Sequence, residues 1–259
     1  MLLDLAPRAS CAFADNPRFA ILALMQCKHT PLARPLPALA LGIAFARVAL
    51  IAASAAQTPS DLRIVDKPIP FDKERIQLTL EYIRKHYSPD AQDITITPQA
   101  IVLHYTAINA FDSTWNYFSH TRIEAARPEL QREGELNVSG QFVVDRDGTV
   151  YRLMPETWMA RHCIGLNRVA IGVENVGDAD KYPLTDRQVE ADAALVRYLA
   201  GKYSISYLLG HSEYRRMEKT PLFLELVPGY RTGKSDPGDD FMRRVRERLT
   251  NFNLKSPPL

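Results

Sequence analysis

The chain has 259 residues, of which 46% are hydrophobic and 24% charged, with a formal charge of +2. That length suits one sizeable domain plus an appendage, and the composition is that of an ordinary soluble globular protein. No basic run and no clear basic excess is present, which argues against a nucleic-acid partner.

Residues 1–56 differ in kind from the rest. The stretch 36–56 is apolar and Ala-rich, follows Lys28 and Arg34, and closes on Ala53, Ser54, Ala55 and Ala56. Small residues at that point are what signal peptidase cleaves after, so a signal peptide or N-terminal hydrophobic segment is expected over 1–56. Met25 is an alternative start that would give the signal a normal basic opening. Arg47 interrupts the apolar run and weakens both the signal and the membrane-span readings. An uncleaved anchor and a spurious tail stay as alternatives. A processed protein would be exported to the periplasm or cell envelope, with no stable membrane span. Cys11 and Cys27 would leave with the segment, and Cys163 alone would remain, so no internal disulfide can form.

Residues 57–70 read as a polar, Pro-containing linker, 71–254 as the main domain, and 255–259 as a tail. From Asp72, a plausible N-cap, the spacing of Ile76, Leu80, Ile83 and Tyr87 predicts a helix packed on the domain through those residues. Residues 100–106 form a nearly unbroken apolar run, which suits a strand buried on both faces and carries His104 near its end. Residues 111–123 predict a helix capped by Asp112 or Ser113, with Trp115, Phe118 and Ile123 facing inward. Residues 124–135 are charged and read as a solvated loop. Asp147 and Gly148 give a strong turn signal for a hairpin over 141–153.

Residues 170–176 alternate as a strand, with Ala170, Gly172 and Glu174 on one face. A carboxylate flanked by such small side chains has space in front of it for a ligand. Residues 185–202 predict an amphipathic helix with Val189, Ala193, Val196 and Leu199 inward. A strand over 205–209 leads into Gly210 and His211, a long loop follows to Asp236, and a closing helix covers 239–252. The alternation of strands and helices, with one antiparallel hairpin in the middle, predicts a single α/β domain: a central mixed β-sheet flanked by helices.

His104 and His211 both stand where a strand ends, so one edge of the sheet can present both imidazoles to a single point. Asp236 precedes Pro237, which biases it towards an extended backbone, and in an extended segment Lys234 and Asp236 face the same way. Two histidines and a carboxylate with one open position are the ligand set of a catalytic zinc site. Taken singly, each piece has a plainer reading: a hydrogen-bonded histidine, a turn at Ser235-Asp236-Pro237-Gly238, a Glu174 salt bridge. Their joint occurrence in this order favours the site. A dyad of His162 and Cys163 is disfavoured because neighbouring strand residues point apart. His29, His86 and His120 read as exposed, and Trp115 and Trp158 as core or groove lining.

With these elements in place, residues 99–252 resemble the zinc-dependent N-acetylmuramoyl-L-alanine amidases of the type-2 family, relatives of the peptidoglycan recognition proteins. The resemblance implies one zinc ion per chain on His104, His211 and Asp236, with Glu174, in the run Ile171 to Asn175, as catalytic glutamate and Lys234 as catalytic lysine. It also implies substrate contacts near Asn137, at His162 and in the groove around Trp115. Arg161 and Cys163 beside His162, and Gln141 where relatives often carry His, depart from the family's pattern. The implied reaction is hydrolysis of the amide between N-acetylmuramic acid and L-alanine in peptidoglycan or muropeptides, by a monomer. The rival expectation is a binding module of the same fold without turnover. Residues 212–233, with Tyr214, Arg215, Arg216, Phe223 and Tyr230, are expected to wall the groove.

Overall fold

The computed structural model describes residues 62–259. The sequence expectations for 1–56, including His29 and the cleavage site, lie outside them. Among the described residues no helix is long and apolar enough to cross a membrane.

Six strands form one sheet: β1 (Ile64–Asp66), β2 (Ala100–Tyr105), β3 (Phe142–Val144), β4 (Val150–Arg152), β5 (Ala170–Asn175) and β6 (Tyr207–Gly210). Their order is β1-β4-β3-β5-β2-β6, and every neighbouring pair is parallel except the β3/β4 hairpin. This is the mixed sheet the sequence predicts. The expected linker is partly structured, however, because Ile64–Asp66 pairs with Val150–Arg152 as the edge strand. The expected tail is also tied in: Lys255 bridges Tyr207 beside β6.

The two faces of the sheet carry separate cores. Ile101, Leu103, Ile171 and Val173 point towards α4 (Asp186–Lys202) and α5 (Asp239–Glu247). Ala100, Val102 and Ala170 point to the other face, under α1 (Lys73–His86) and the long connections. Since side chains alternate along a strand, His104 and Glu174 share this second face with Ala100 and Ala170. β2 is buried on both sides, which is why its sequence is apolar without alternation.

α4 starts as the sequence indicates, with Thr185 and Gln188 forming a reciprocal capping box. The Gln188 amide also donates to the Val144 and Val176 carbonyls, fixing the helix against the ends of β3 and β5. Val189, Ala193, Val196 and Leu199 are buried as expected.

α1 is capped by Asp72, yet its buried stripe is rotated from the predicted one. Arg75, Leu78, Thr79, Tyr82, Ile83 and His86 face inward, while Ile76 is 40% exposed. Apolar spacing misplaced the stripe because three polar residues are buried with partners. Arg75 donates to the Phe118 and His120 carbonyls, and Thr79 to the Arg75 carbonyl. His86 sits between the Glu225 carboxylate and the Glu133 carbonyl, so it is fully buried rather than exposed.

α2 covers Phe111–Ser119 and stops short of Ile123; its N-cap is Ala110, with no side-chain cap. The charged stretch after it contains one short turn of helix, α3 (Pro128–Gln131). The closing helix α5 ends at Glu247, earlier than 252.

Candidate metal centre

His104 lies near the end of β2 and His211 follows β6 directly, so the C-terminal ends of two adjacent strands bring both imidazoles to one place, and the loop before α5 adds Asp236. That end of a parallel sheet is where α/β folds generally build their sites. His104 Nδ1 lies 2.9 Å from His211 Nδ1 and 3.2 Å from Asp236 Oδ2, and His211 Nδ1 lies 3.1 Å from the same oxygen. The three residues are 2%, 6% and 9% exposed, which makes this a buried trio. His211 begins a 3₁₀ helix, His211–Lys219, and the Ser212 amide donates to the Asp236 carbonyl, holding the two segments in register.

The donor set fits a small divalent cation. Ligand bonds of about 2.0–2.1 Å in a tetrahedron set ligand atoms roughly 3.3 Å apart, close to all three separations found here. Two ring nitrogens aimed at one carboxylate oxygen, with little solvent, form an arrangement that a cation would satisfy and a packed core would not need. These are also the residues among those described whose ligand atoms lie within 4.8 Å of one another.

Electrostatics agree. Burial, with His104 nearby, pushes the His211 imidazole down to about 4, so it is neutral and able to ligate at neutral pH. Asp236 is held far below the carboxylate range by its bonds to His104 and His211, which outweigh its burial. Burial pushes the Glu174 carboxyl up to about 7, with His104 opposing that rise and Asp236 adding to it. Glu174 pairs in register with His104 across β5 and β2 and is partly open to the cavity. A cavity of about 440 Å³ reaches His104, Glu174, His211, Lys234 and Asp236 together. The arrangement offers a cation site, a carboxyl that titrates near neutrality and an ammonium in a single pocket.

His162 also lines this cavity, but it contacts protein through both ring nitrogens: Nδ1 lies 3.0 Å from His104 Nε2, and Nε2 lies 3.2 Å from the Ala170 carbonyl. The space expected in front of Glu174 is in part the seat of this ring, since a Cβ on Gly172 would come within 2.7 Å of it. His162 and Cys163 lie in an irregular segment rather than a strand, with both backbone amides on Asn167 Oδ1. No hydrogen bond joins the two side chains, and burial pushes the Cys163 thiol up, away from thiolate chemistry.

Two of the expected substrate contacts do not reach the cavity. Trp115 donates to the Lys67 carbonyl and packs over the edge of the domain. Asn137 is 1% exposed and spends its side chain on the Tyr117 carbonyl and the Val138 amide. Its neighbour Val138 lines the cavity instead.

Residues 212–233 form the wall only in part. Tyr230 and Thr232 line the cavity, whereas Tyr214 is buried beneath, bonded to the Thr232 backbone. Phe223 packs on Gly165, and Arg215 and Arg216 turn outward to Glu218 and Glu213.

Two cationic side chains on the cavity wall were not anticipated from the sequence. Arg127 donates to the Tyr117 hydroxyl, which donates in turn to Glu124. Arg161 is 3% exposed and donates to the Leu130, Gly134 and Leu136 carbonyls and to Tyr230. Arg127 comes from the charged stretch 124–135 and Arg161 from beside His162, and neither local sequence signals that its arginine will be drawn onto a pocket wall.

Residues 95–239, more than half of the chain, match the family described as N-acetylmuramoyl-L-alanine amidase. Among solved structures, the chain is similar to the endolysin N-acetylmuramoyl-L-alanine amidase LysCS from Clostridium intestinale URNW (23% identity, TM-score 0.46, covering 74% of this chain and 97% of that one). It is also similar to a selenomethionine derivative of AmpD (21%, 0.42, 73% and 94%). A third likeness is to peptidoglycan recognition protein LE in complex with tracheal cytotoxin (17%, 0.36, 51% and 86%). No curated protein matches the chain. The family match covers the strands that carry His104 and Glu174, the start of the 3₁₀ helix at His211 and the segment that carries Lys234 and Asp236, and the chain belongs to the N-acetylmuramoyl-L-alanine amidase family.

Proposed function

We propose that this amidase is zinc-dependent, with His104, His211 and Asp236 as metal ligands, Glu174 as general base and Lys234 as oxyanion donor. The observation that carries the reading is the set of three separations near 3 Å among two imidazole nitrogens and one carboxylate oxygen, beside a carboxyl raised to about 7. Zinc, when bound, supplies Lewis acidity towards the scissile carbonyl and the attacking water. The Glu174 carboxylate takes a proton from that water and hands it to the departing amide nitrogen, which leaves as the amine of L-alanine. The Lys234 ammonium donates to the carbonyl oxygen as negative charge grows on it. The C–O bond forms and the C–N bond breaks, and the second proton of the water passes from the new carboxyl group to the amine, so the muramic-acid lactyl group is released as a carboxylate and L-alanine as its ammonium form.

Peptidoglycan or muropeptide is the substrate class. Export to the periplasm or cell envelope is the compartment in keeping with residues 1–56, and one zinc per monomeric chain completes the proposal. The amidase domain, taken as 71–254 from the sequence, would then include the edge strand Ile64–Asp66 as well. Release of soluble stem peptide from purified peptidoglycan, assayed with and without a chelator and after zinc is restored, tests the proposal. Release that stops with chelator and returns with zinc is expected. Peptidoglycan binding without release would turn the chain into the non-catalytic module.

A further inference from the structure

We propose that His162 is a positioning residue that fixes the tautomer of His104, through a relay of hydrogen bonds donated in turn from His104 to His162 and from His162 to the Ala170 carbonyl. This inference rests on the metal reading above, because it concerns which nitrogen of His104 is free to ligate.

The proton assignment follows from what each partner is able to do. The Ala170 carbonyl only accepts, so His162 Nε2, at 3.2 Å, carries a hydrogen and donates it. His162 is 8% exposed and no carboxylate among the described residues hydrogen-bonds it, so the ring holds one proton and its Nδ1 is an acceptor. His104 Nε2, at 3.0 Å from that acceptor, is therefore the protonated nitrogen of His104. His104 Nδ1 is left bare, and it is the atom turned towards His211 Nδ1 and Asp236 Oδ2. In the reverse arrangement a hydrogen on His104 Nδ1 would occupy the position that a cation needs. Metal-binding histidines generally owe their tautomer to the partner of the second nitrogen. Here that partner is another imidazole, itself oriented by the backbone.

A second observation supports the relay independently. A Cβ on Gly172 would lie 2.7–2.9 Å from three ring atoms of His162. Gly172 stands two residues before Glu174 on β5, and its amide donates to Gln141 Oε1. The glycine is therefore the seat of the His162 ring, in a strand where any side chain would displace it. Conservation of space for one imidazole explains a glycine that strand propensity alone disfavours.

The test compares zinc affinity, by competition with a chromogenic chelator, in the full chain and in five variants, one of them double. His162→Leu is expected to bind zinc about 10- to 100-fold more weakly, the usual cost of removing an outer partner of a metal-binding histidine. His162→Gln, whose amide can accept from His104 and donate to Ala170, is expected to recover most of that loss. Gly172→Ala is expected to weaken zinc in the wild-type background but to add nothing once His162→Ala has removed the ring it would strike. Ring-nitrogen NMR on the zinc-loaded wild type should show His104 protonated at Nε2. A His162→Leu variant that binds zinc as tightly as wild type, or a His104 protonated at Nδ1, would overturn the relay. A wild type that takes up no zinc would instead overturn the metal reading, so the two failures are distinct.

Discussion

The Asp192 carboxylate of α4 accepts a hydrogen bond of 2.9 Å from the Asn175 amide, and the same amide reaches the His104 carbonyl at 3.2 Å. A fully buried acid on a helix thus holds the strand end that carries a metal ligand. Asp192 is 0% exposed, and its other oxygen finds no donor among the described residues. Burial pushes its carboxyl up to about 7, against a smaller opposing effect of the Asn175 bond.

This gives the fold a pH dependence. A carboxyl with a raised folded-state value contributes stability that is fully present below its unfolded value, near 3.8, and is lost as pH rises through about 7. A rise of about three pH units is worth on the order of 4 kcal/mol. Asp192→Asn keeps the Asn175 contact and removes the titration, so it should be more stable than wild type at pH 8 and about equal to it at pH 4. Urea unfolding of both proteins at the two pH values checks this, and a constant difference between them would contradict it.

Glu174→Gln should leave the fold and zinc content unchanged while turnover falls roughly 10²- to 10⁴-fold, the range for loss of a positioned base. Zinc content is measured by atomic emission and turnover by stem-peptide release. A fully active variant would remove Glu174 from the proton-transfer role.

Lys234→Met should lower kcat by about 10²- to 10³-fold with a much smaller change in KM, because the proposed donor acts on charge that grows only in the transition state. A loss confined to KM would recast Lys234 as a substrate-binding residue.

Gly210 links packing to the site. A Cβ there would lie 2.9 Å from Pro237 Cδ and 3.0 Å from Met242 Cγ. His211 follows this glycine and Asp236 precedes that proline, so the close approach sets the distance between two candidate ligands. Gly210→Ala is expected to cost about 1–3 kcal/mol by overpacking and to weaken zinc binding. Thermal unfolding in chelator, followed by zinc competition, separates the two effects.

Much of the fold can be read directly from the chain. The unbroken apolar run of β2, the Asp147-Gly148 turn and the cap at Thr185 are local signals, because each depends on neighbours a few residues away. The two candidate histidines were legible too, since residues at the ends of parallel strands gather at one edge of a sheet whatever the details of packing, while Asp236 was marked by its place before Pro237 and by the family resemblance. The inward face of α1 was not. Its buried Arg75 and His86 are satisfied by carbonyls and a carboxylate more than 40 positions distant, and a hydrophobic pattern counts such residues as exposed.

The same reason separates His162 from the other site residues. The sequence singled out His104, His211 and Asp236 as candidate ligands with Glu174 beside them, because the histidines stand at strand ends and the family resemblance points to the same residues, whereas the pairing of His104 with Glu174 is a contact between distant strands. Tertiary structure alone decided that the space over Gly172 belongs to an imidazole, that Trp115 and Asn137 face elsewhere, and that Arg127 and Arg161 reach the cavity wall. Those placements depend on hydrogen bonds between segments far apart in the chain, and such partners become neighbours only after the sheet has formed.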